Sequence, residues 1–484
     1  MNKKWYLLFF LVVTASCRKD HLVSNNNNNN QSGQSNLPPG GGMPVNVTIN
    51  PNQLINPVPA AFEGLSYETA ILTQNPEVLN VNNKVLIQLI KNLGPGLLRI
   101  GGDTSDETFW TGGARNDGTG PDSITTSDVD RLAAFSTAIG WPVLFGLNFG
   151  SSSLATDIDE SLYVSSSLKS NLYALQIGNE PDVYHLFGLR DANYGFSEYQ
   201  KEFETYKNGI QSNLPSVNFA GPGIAYQTDW ISEFAGSEAN NVSLLDAHYY
   251  VAGPASSTSI DYHTILAPDY KLTSTLYDLS NSKSNYHLPF RITECNNIYG
   301  GGKAGASDVF ASALWALDFM WQVATATGEG INFHGGDLNG ANLIYSPIVD
   351  ENGTVTARPE YYAMLAFKYG SSGGTIISSG NDQPNYNFSN YACLNADKTI
   401  TVTLINKDTI TLSVNIQMDK TVSSIEVSNL TAPSVTSTTG TVFAGSVVNA
   451  DGTFTPAPKK YTINQNKFTV SVPAGSASVV TINY

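Results

Sequence analysis

The sequence predicts an α/β fold: a (β/α)8 TIM barrel followed by a C-terminal antiparallel β-sandwich. Three observations predict it. Between residues 60 and 370, eight short apolar runs alternate with helical patterns. From 371 to 484 the chain turns Thr-, Ser- and Val-rich with period-two alternation. The 484 residues exceed one ordinary domain, and 41% hydrophobic content supplies a large core.

The eight runs are Phe62–Glu68, Leu97–Gly101, Pro142–Asn148, Leu172–Gly178, Val217–Gly221, Leu244–Tyr250, Leu288–Glu294 and Gly330–Gly335. Between them, Val85, Leu86, Leu89, Ile90 and Leu93 recur at helical spacing, as do apolar residues in Ser127–Ile139, Phe196–Asn213 and Ser307–Thr325. Eight β runs interleaved with helices over this length match a closed barrel. An open doubly wound sheet is the structural alternative. In the second region Thr399–Leu404, Ser423–Ser428 and Phe468–Val472 alternate, and Asn449-Ala450-Asp451-Gly452 marks a turn. Val45–Ile49, within the segment 45–59, alternates in the same way and is expected to pair into the sandwich.

Residues 1–17 read as an export signal. Lys3 and Lys4 precede an apolar run, Trp5–Val13, too short to span a bilayer. Small residues, Thr14-Ala15-Ser16, then precede Cys17. This resembles a bacterial lipobox, which implies cleavage before Cys17 and a lipid on its thiol. The expectation is an exported bacterial lipoprotein of the cell envelope, touching a membrane through that anchor alone. An ordinary signal peptide is the alternative. Residues 18–44 include asparagine at every position from 25 to 30 and read as a flexible tether.

Composition excludes several function classes. A net charge of −16 with 14% charged residues argues against nucleic acid and dense polyanions, which reward clustered Lys and Arg. Cys295 and Cys393 do not make a disulfide framework. The six histidines show no paired metal spacing. Gly300–Gly305 fits G-x-G-x-x-G, but Cys295–Tyr299 separate it from its strand. Gly370–Gly374 fits G-x-S-x-G without a strand-to-helix elbow. No metal and no organic cofactor are expected, and nothing specifies an oligomer.

Barrel enzymes place catalytic groups where strands end. Two glutamates stand there. Glu180 follows Leu175-Gln176-Ile177-Gly178-Asn179 and precedes Pro181, which cannot continue a ladder. Glu294 ends Phe290-Arg291-Ile292-Thr293. They fall on the fourth and seventh runs, so only barrel closure brings them together. Two facing carboxylates are what glycosidic cleavage needs, one protonated and one ionised. The Asn179 amide is placed to orient a sugar hydroxyl beside the acid.

Asn179-Glu180-Pro181 and Glu294 resemble the clan A glycoside hydrolases. More specifically, Phe62–Glu68, Leu98–Asp103, His248-Tyr249-Tyr250 and Glu294 followed by Tyr299-Gly300-Gly301-Gly302 resemble glycoside hydrolase family 79, from about residue 45 onward. That resemblance implies an acid/base at Glu180 and a nucleophile at Glu294, with Tyr249 beside the nucleophile. It implies sugar hydroxyls on Glu68 and Asp103. It implies a uronate carboxylate held by Tyr299, Tyr345 and the amides of Gly300 and Gly301, with His334 reaching the same pocket. Converging backbone N–H groups can hold a carboxylate without arginine, and only glycine lets the backbone come so close.

The expected partner is therefore a carbohydrate, and the expected reaction is exo-hydrolysis of a terminal β-glucuronic acid with retention, 4-O-methylated or not. Alternatives are another retaining clan A exo-glycosidase (a β-xylosidase or β-glucosidase), a heparanase-like endo-enzyme, and a non-catalytic glycan-binding lipoprotein. Scarce basic residues speak against the endo-enzyme. Both carboxylates together speak against a mere binder.

Overall fold

In this computed structural model, residues 41–484 are described, apart from 117, 339–340 and 352. The export signal with Cys17 and the tether up to residue 40 lie outside the described residues. No helix among the described residues is long and apolar enough to cross a membrane.

The first strand, β1 (Met43–Pro57), stays out of the barrel. The barrel strands are β2 (Gly64–Glu68), β3 (Leu97–Gly101), β4 (Val143–Leu147), β5 (Leu172–Ile177), β6 (Phe219–Ile224), β7 (Leu244–Ala252), β8 (Phe290–Ile298) and β9 (Ile331–Gly335). Each pairs in parallel with its neighbours, and β9 returns to β2, closing the sheet. A closed parallel sheet excludes the doubly wound alternative. A helix follows each strand: α1 (Lys84–Leu93), α2 (Thr126–Ile139), α3 (Leu154–Leu168), α4 (Phe196–Gln211), α5 (Asp229–Glu238), α6 (Tyr270–Tyr286), α7 (Phe310–Thr325) and α8 (Pro359–Ser371). Their starts follow local chemistry. The Asn83 side chain accepts the Leu86 amide at 3.2 Å ahead of α1. Asp128 Oδ2 accepts the Thr125 amide at 3.0 Å and closes a capping box on α2.

Side chains alternate across each barrel strand, so every second residue points inward. Leu97, Leu144, Ala174, Ala220 and Leu244 fill the floor as a separate apolar cluster. Two residues further along their strands, Arg99, Gln176 and Asp246 form a polar layer. Arg99 Nε donates to Gln176 Oε1 at 2.8 Å, and Gln176 Nε2 donates to Asp246 Oδ2 at 2.6 Å. The C-terminal ends of the strands lie above that layer.

One strand departs from expectation. The seventh run was expected to end at Glu294, but β8 continues to Ile298. Its pairing with β7 shifts register between Ile292 and Glu294. At that bulge two consecutive side chains turn inward: Thr293 Oγ1 donates to Asp246 at 3.2 Å, and Glu294 faces the site. Alternation then resumes, and Cys295 points outward, its thiol 3.3 Å from the Asn332 carbonyl.

Beyond α8, the remaining strands are β10 (Thr375–Asn381), β11 (Phe388–Leu394), β12 (Ile400–Asn406), β13 (Leu412–Thr431), β14 (Val442–Phe443), β15 (Lys459–Val472) and β16 (Ser476–Asn483). They wrap a second core built on Val45, Val402, Leu404, Val414, Ile425 and Val480. The second region was expected to be antiparallel throughout. Its pairings are antiparallel except one: β1 runs parallel to the first half of β13 and antiparallel to β10. The barrel and this region pack together through α7 and α8. Trp321 stacks on Tyr391 at 5.3 Å, and Asp318 takes Lys407 Nζ at 2.6 Å and the Tyr391 hydroxyl at 2.7 Å.

Candidate active site

The turn after β5 presents Glu180 in a conformation few side chains adopt. Its φ is 53° and ψ is 50°, left-handed for a residue with a Cβ. Such strain costs on the order of 1 kcal/mol and persists only where neighbours hold it. Here the Glu180 amide donates to the Gly223 carbonyl at 2.9 Å. Asp182 accepts the amides of Ala225, Tyr226 and Gln227 at 2.8, 3.0 and 3.0 Å, tying the turn to the loop after β6. The Glu180 side chain is 19% exposed.

Glu294 is held at both oxygens. Arg99 Nη1 donates to Oε2 at 2.6 Å, and the Tyr250 hydroxyl donates to Oε1 at 2.8 Å. One oxygen from each glutamate and one His248 nitrogen all lie within 4.8 Å of one another. That trio could also bracket a cation. Its atoms are engaged, however, by Arg99, by Tyr250 and by the His248–Glu180 hydrogen bond, and Arg99 already supplies the positive charge.

The two carboxyls are driven apart in pKa. Burial and the charges of Glu294 and Asp182 push Glu180 well above the usual carboxylate range. Burial pushes Glu294 the same way, but His334, His248 and Arg99 together outweigh it, and the group is held well below that range. Burial takes His248 down to about 4 and leaves it neutral near pH 7, so the positive charge beside Glu294 comes from His334 and Arg99. His248 Nδ1 lies 2.9 Å from Glu180 Oε1, while its buried Nε2 has no partner among the described residues. Assigning the proton to Nδ1 avoids a buried orphan N–H. It also directs the Glu180 proton to Oε2.

Around this pair, most of the expected residues converge. Glu68 accepts Thr104 Oγ1 at 2.6 Å and lies 3.2 Å from His334 Nε2. A Cβ on Gly102, whose φ is +78°, would come within 2.5 Å of the Glu68 carboxyl carbon, so glycine is required there. His334 Nδ1 lies 3.0 Å from Ser66 Oγ. Burial disfavours its charge, yet Glu294 and Glu68 more than offset this and raise its pKa. Asn179 Nδ2 donates to Asp103 at 3.3 Å, and its Oδ1 accepts Arg99 Nη2 at 2.8 Å. Asp103 is itself exposed, so of the causes that raise it above its ordinary value, desolvation counts for less than the charges of Glu180, Glu68 and Glu294.

Tyr299, Gly300 and Gly301 follow β8. Gly300, Gly301 and Gly302 all hold positive φ, at 84°, 89° and 82°. Tyr299 lies edge-on to Tyr250 at 6.4 Å, and the Gly301 carbonyl accepts the Ile344 amide at 2.7 Å, next to Tyr345. The Tyr345 ring lies 5.9 Å from Tyr250 and 6.1 Å from His334.

Tyr249 does not join them. It was expected beside the nucleophile, but its hydroxyl donates to Asp269 at 2.6 Å, outside the barrel, and its ring stacks on Phe319 at 5.7 Å. The reason is strand parity: Leu244, Asp246, His248 and Tyr250 face inward, so Tyr249 must face outward. Tyr250→Phe is therefore expected to lower kcat by about tenfold to a hundredfold, on the scale of one lost charge-assisted hydrogen bond. Tyr249→Phe is expected to leave kcat within about twofold. Steady-state kinetics on both variants check this. Sequence reading also missed Arg99, although period two on β3 put it inward with Leu97.

Fold and site together define a clan A-type barrel bearing paired glutamates. Within that class the chain is similar to proteins named beta-glucuronidase and heparanase-like protein. It is 25% identical over 360 residues to a protein named beta-glucuronidase from Aspergillus niger, covering 65% of this chain and 66% of that one. It is 23% identical over 380 residues to heparanase-like protein 3 of Arabidopsis thaliana, covering 69% and 67%. The chain thus spans about two thirds of the length of these relatives. No family model matches. Among solved structures, a 4-O-alpha-L-rhamnosyl-beta-D-glucuronidase from Fusarium oxysporum shares the fold with a TM-score of 0.72 at 18% identity, over 91% of this chain and 100% of that one. An arabinofuranosidase from Xanthomonas axonopodis shares it at 0.69 and 15%, over 91% and 100%.

Proposed function

We propose that the chain is a retaining exo-β-glucuronidase acting on terminal β-linked glucuronic acid. The observation that carries this reading is the pair Glu180 and Glu294, with oxygens inside 4.8 Å and pKa values pushed in opposite directions. Retaining enzymes hold their carboxyls about 5–5.5 Å apart, and inverting ones leave room for a water. In the first step Glu180 gives its proton to the glycosidic oxygen and the C1–O bond breaks. The Glu294 carboxylate bonds to C1. In the second step Glu180 takes a proton from water, whose oxygen attacks C1 and frees Glu294. The uronate reading draws support from the relatives named beta-glucuronidase and from the glycine turn beside Tyr250, Tyr299 and Tyr345.

The test compares 4-nitrophenyl β-glucuronide with the matching β-glucoside. The glucuronide is expected to show at least about tenfold higher kcat/KM, and faster turnover of the glucoside overturns the uronate reading. Residues 3–17 support a further proposal, an exported lipoprotein anchored at Cys17. Its check is whether Cys17→Ser releases the chain from the membrane fraction.

A further inference from the structure

The turn that bears Glu180 begins where the strand ladder stops. β5 ends at Ile177, so Gly178 and Asn179 lie past its paired residues. A buried N–H there needs an acceptor from elsewhere. Asn179 is 4% exposed, and its N–H donates to a side chain, the Tyr184 hydroxyl, at 3.3 Å. The turn rests directly against that phenol, since a Cβ on Gly178 would stand 3.1 Å from its oxygen. The peptide held in this way runs straight into Glu180, whose left-handed backbone persists only where neighbours fix it.

Tyr184 is itself immobilised. It is buried, its ring lies 6.1 Å from Phe149 and 6.3 Å from Tyr194, and the Arg190 guanidinium covers it at 5.5 Å. As a donor, its hydroxyl serves the Asp106 carboxyl. Asp106 is fixed in turn by the Gly150 amide, which it accepts at 2.7 Å. It stands on the short helix Asp103–Glu107, which also carries Asp103, and Glu68 holds that helix by accepting the Thr104 amide at 2.9 Å. One phenol therefore ties the turn of Glu180 to the helix of Asp103. Ring packing alone would be served by phenylalanine. Accepting from Asn179 and donating to Asp106 both require the hydroxyl.

We propose that the Tyr184 hydroxyl is a positioning group for the acid/base, fixing the Asn179 peptide so that the Glu180 carboxyl meets the glycosidic oxygen. The inference rests on the assignment of Glu180 as the acid. Two substrates isolate its effect: phenyl β-glucuronide, whose leaving group needs a proton, and 2,4-dinitrophenyl β-glucuronide, whose leaving group does not. In Tyr184→Phe the ratio of kcat/KM, phenyl over dinitrophenyl, is expected to fall about tenfold, the scale of one buried N–H left without its acceptor. Equal losses on both substrates, or none on either, overturn the positioning role, because a merely structural defect does not discriminate between leaving groups. Should Tyr184→Phe fail to fold, Asp106→Asn decides by the same ratio, expected to fall about threefold because the hydroxyl loses its charged partner. An unchanged ratio there overturns the role as well. Glu180→Gln, measured alongside, tests the premise: if its ratio matches wild type, the acid assignment falls and the positioning role with it. Should the wild type prefer glucosides, the uronate reading falls by itself, and the same ratio on phenyl and 2,4-dinitrophenyl β-glucoside still decides.

Discussion

Replacing Glu294 by glycine is expected to lower turnover of 4-nitrophenyl β-glucuronide by a factor on the order of 10⁵, the scale of removing a covalent nucleophile. Azide is expected to restore activity and give the α-glucuronyl azide. The anion enters the space vacated on the nucleophile's side, and a single inversion at C1 follows. Glu180→Ala behaves differently. It removes a proton donor, worth about 10²–10⁴-fold, with the smallest loss for leaving groups that need no proton. Azide then intercepts the intermediate on Glu294, and two inversions give the β-azide. The pH profile separates the pair again. Burial and Glu294 raise the Glu180 pKa, so the acid form survives into higher pH than a free glutamate's would. In the wild type kcat/KM falls as pH rises through that value, and in Glu180→Gln this alkaline limb disappears. A Glu294→Gly enzyme within about tenfold of wild type, or a β-azide from that variant, would remove the assigned roles.

How much of this was legible beforehand depends on which physical rule governed each residue. The barrel was readable because buried parallel strands are near-continuous apolar runs, and helices between them repeat at a different period. Glu180 was readable because Pro181 stops the ladder, so the preceding carboxylate had to sit at a strand exit. Glu294 was placed rightly for an incomplete reason. The run was expected to stop there, whereas β8 continues past it and a bulge turns the side chain inward. Bulges depend on pairing with neighbouring strands, and one strand's sequence does not display its partners. Tyr249 was the converse failure. The motif His248-Tyr249-Tyr250 offers two tyrosines, and only parity counted from Leu244 selects Tyr250. Arg99 went unread because composition argued for few useful cations, and net charge is blind to one arginine buried in the barrel.

That arginine carries the other large expectation. Arg99 is fully buried and donates to four acceptors: Glu294 at 2.6 Å, Gln176 and Asn179 at 2.8 Å, and Ser66 at 3.0 Å. Arg99→Met leaves an unpaired buried carboxylate and is expected to cost about 3–5 kcal/mol of folding stability, seen as a lower Tm at pH 7. It is also expected to slow turnover by about 10²–10³-fold, since the preorganised charge beside C1 is gone. The sign of the pH effect follows from the direction of the Glu294 shift. A carboxyl held below its unfolded value of about 4.3 adds stability that is present above that pH. That stability is lost only as pH falls through the lower, folded value. Wild type therefore keeps it well into acid, and keeps Glu294 ionised there. Without Arg99 the opposing force, burial, is left with less to restrain it, and the Glu294 pKa rises. The acid limb of kcat/KM is expected to move to higher pH, and the stability difference between wild type and variant to shrink on acidification. Arg99→Lys separates charge from geometry. One ammonium keeps the attraction to Glu294 but cannot serve Gln176, Asn179 and Ser66 together. Its acid limb is expected to stay closer to wild type while kcat still falls. If Arg99→Met leaves both Tm and the acid limb where they were, then the histidines and not the arginine hold the nucleophile ionised.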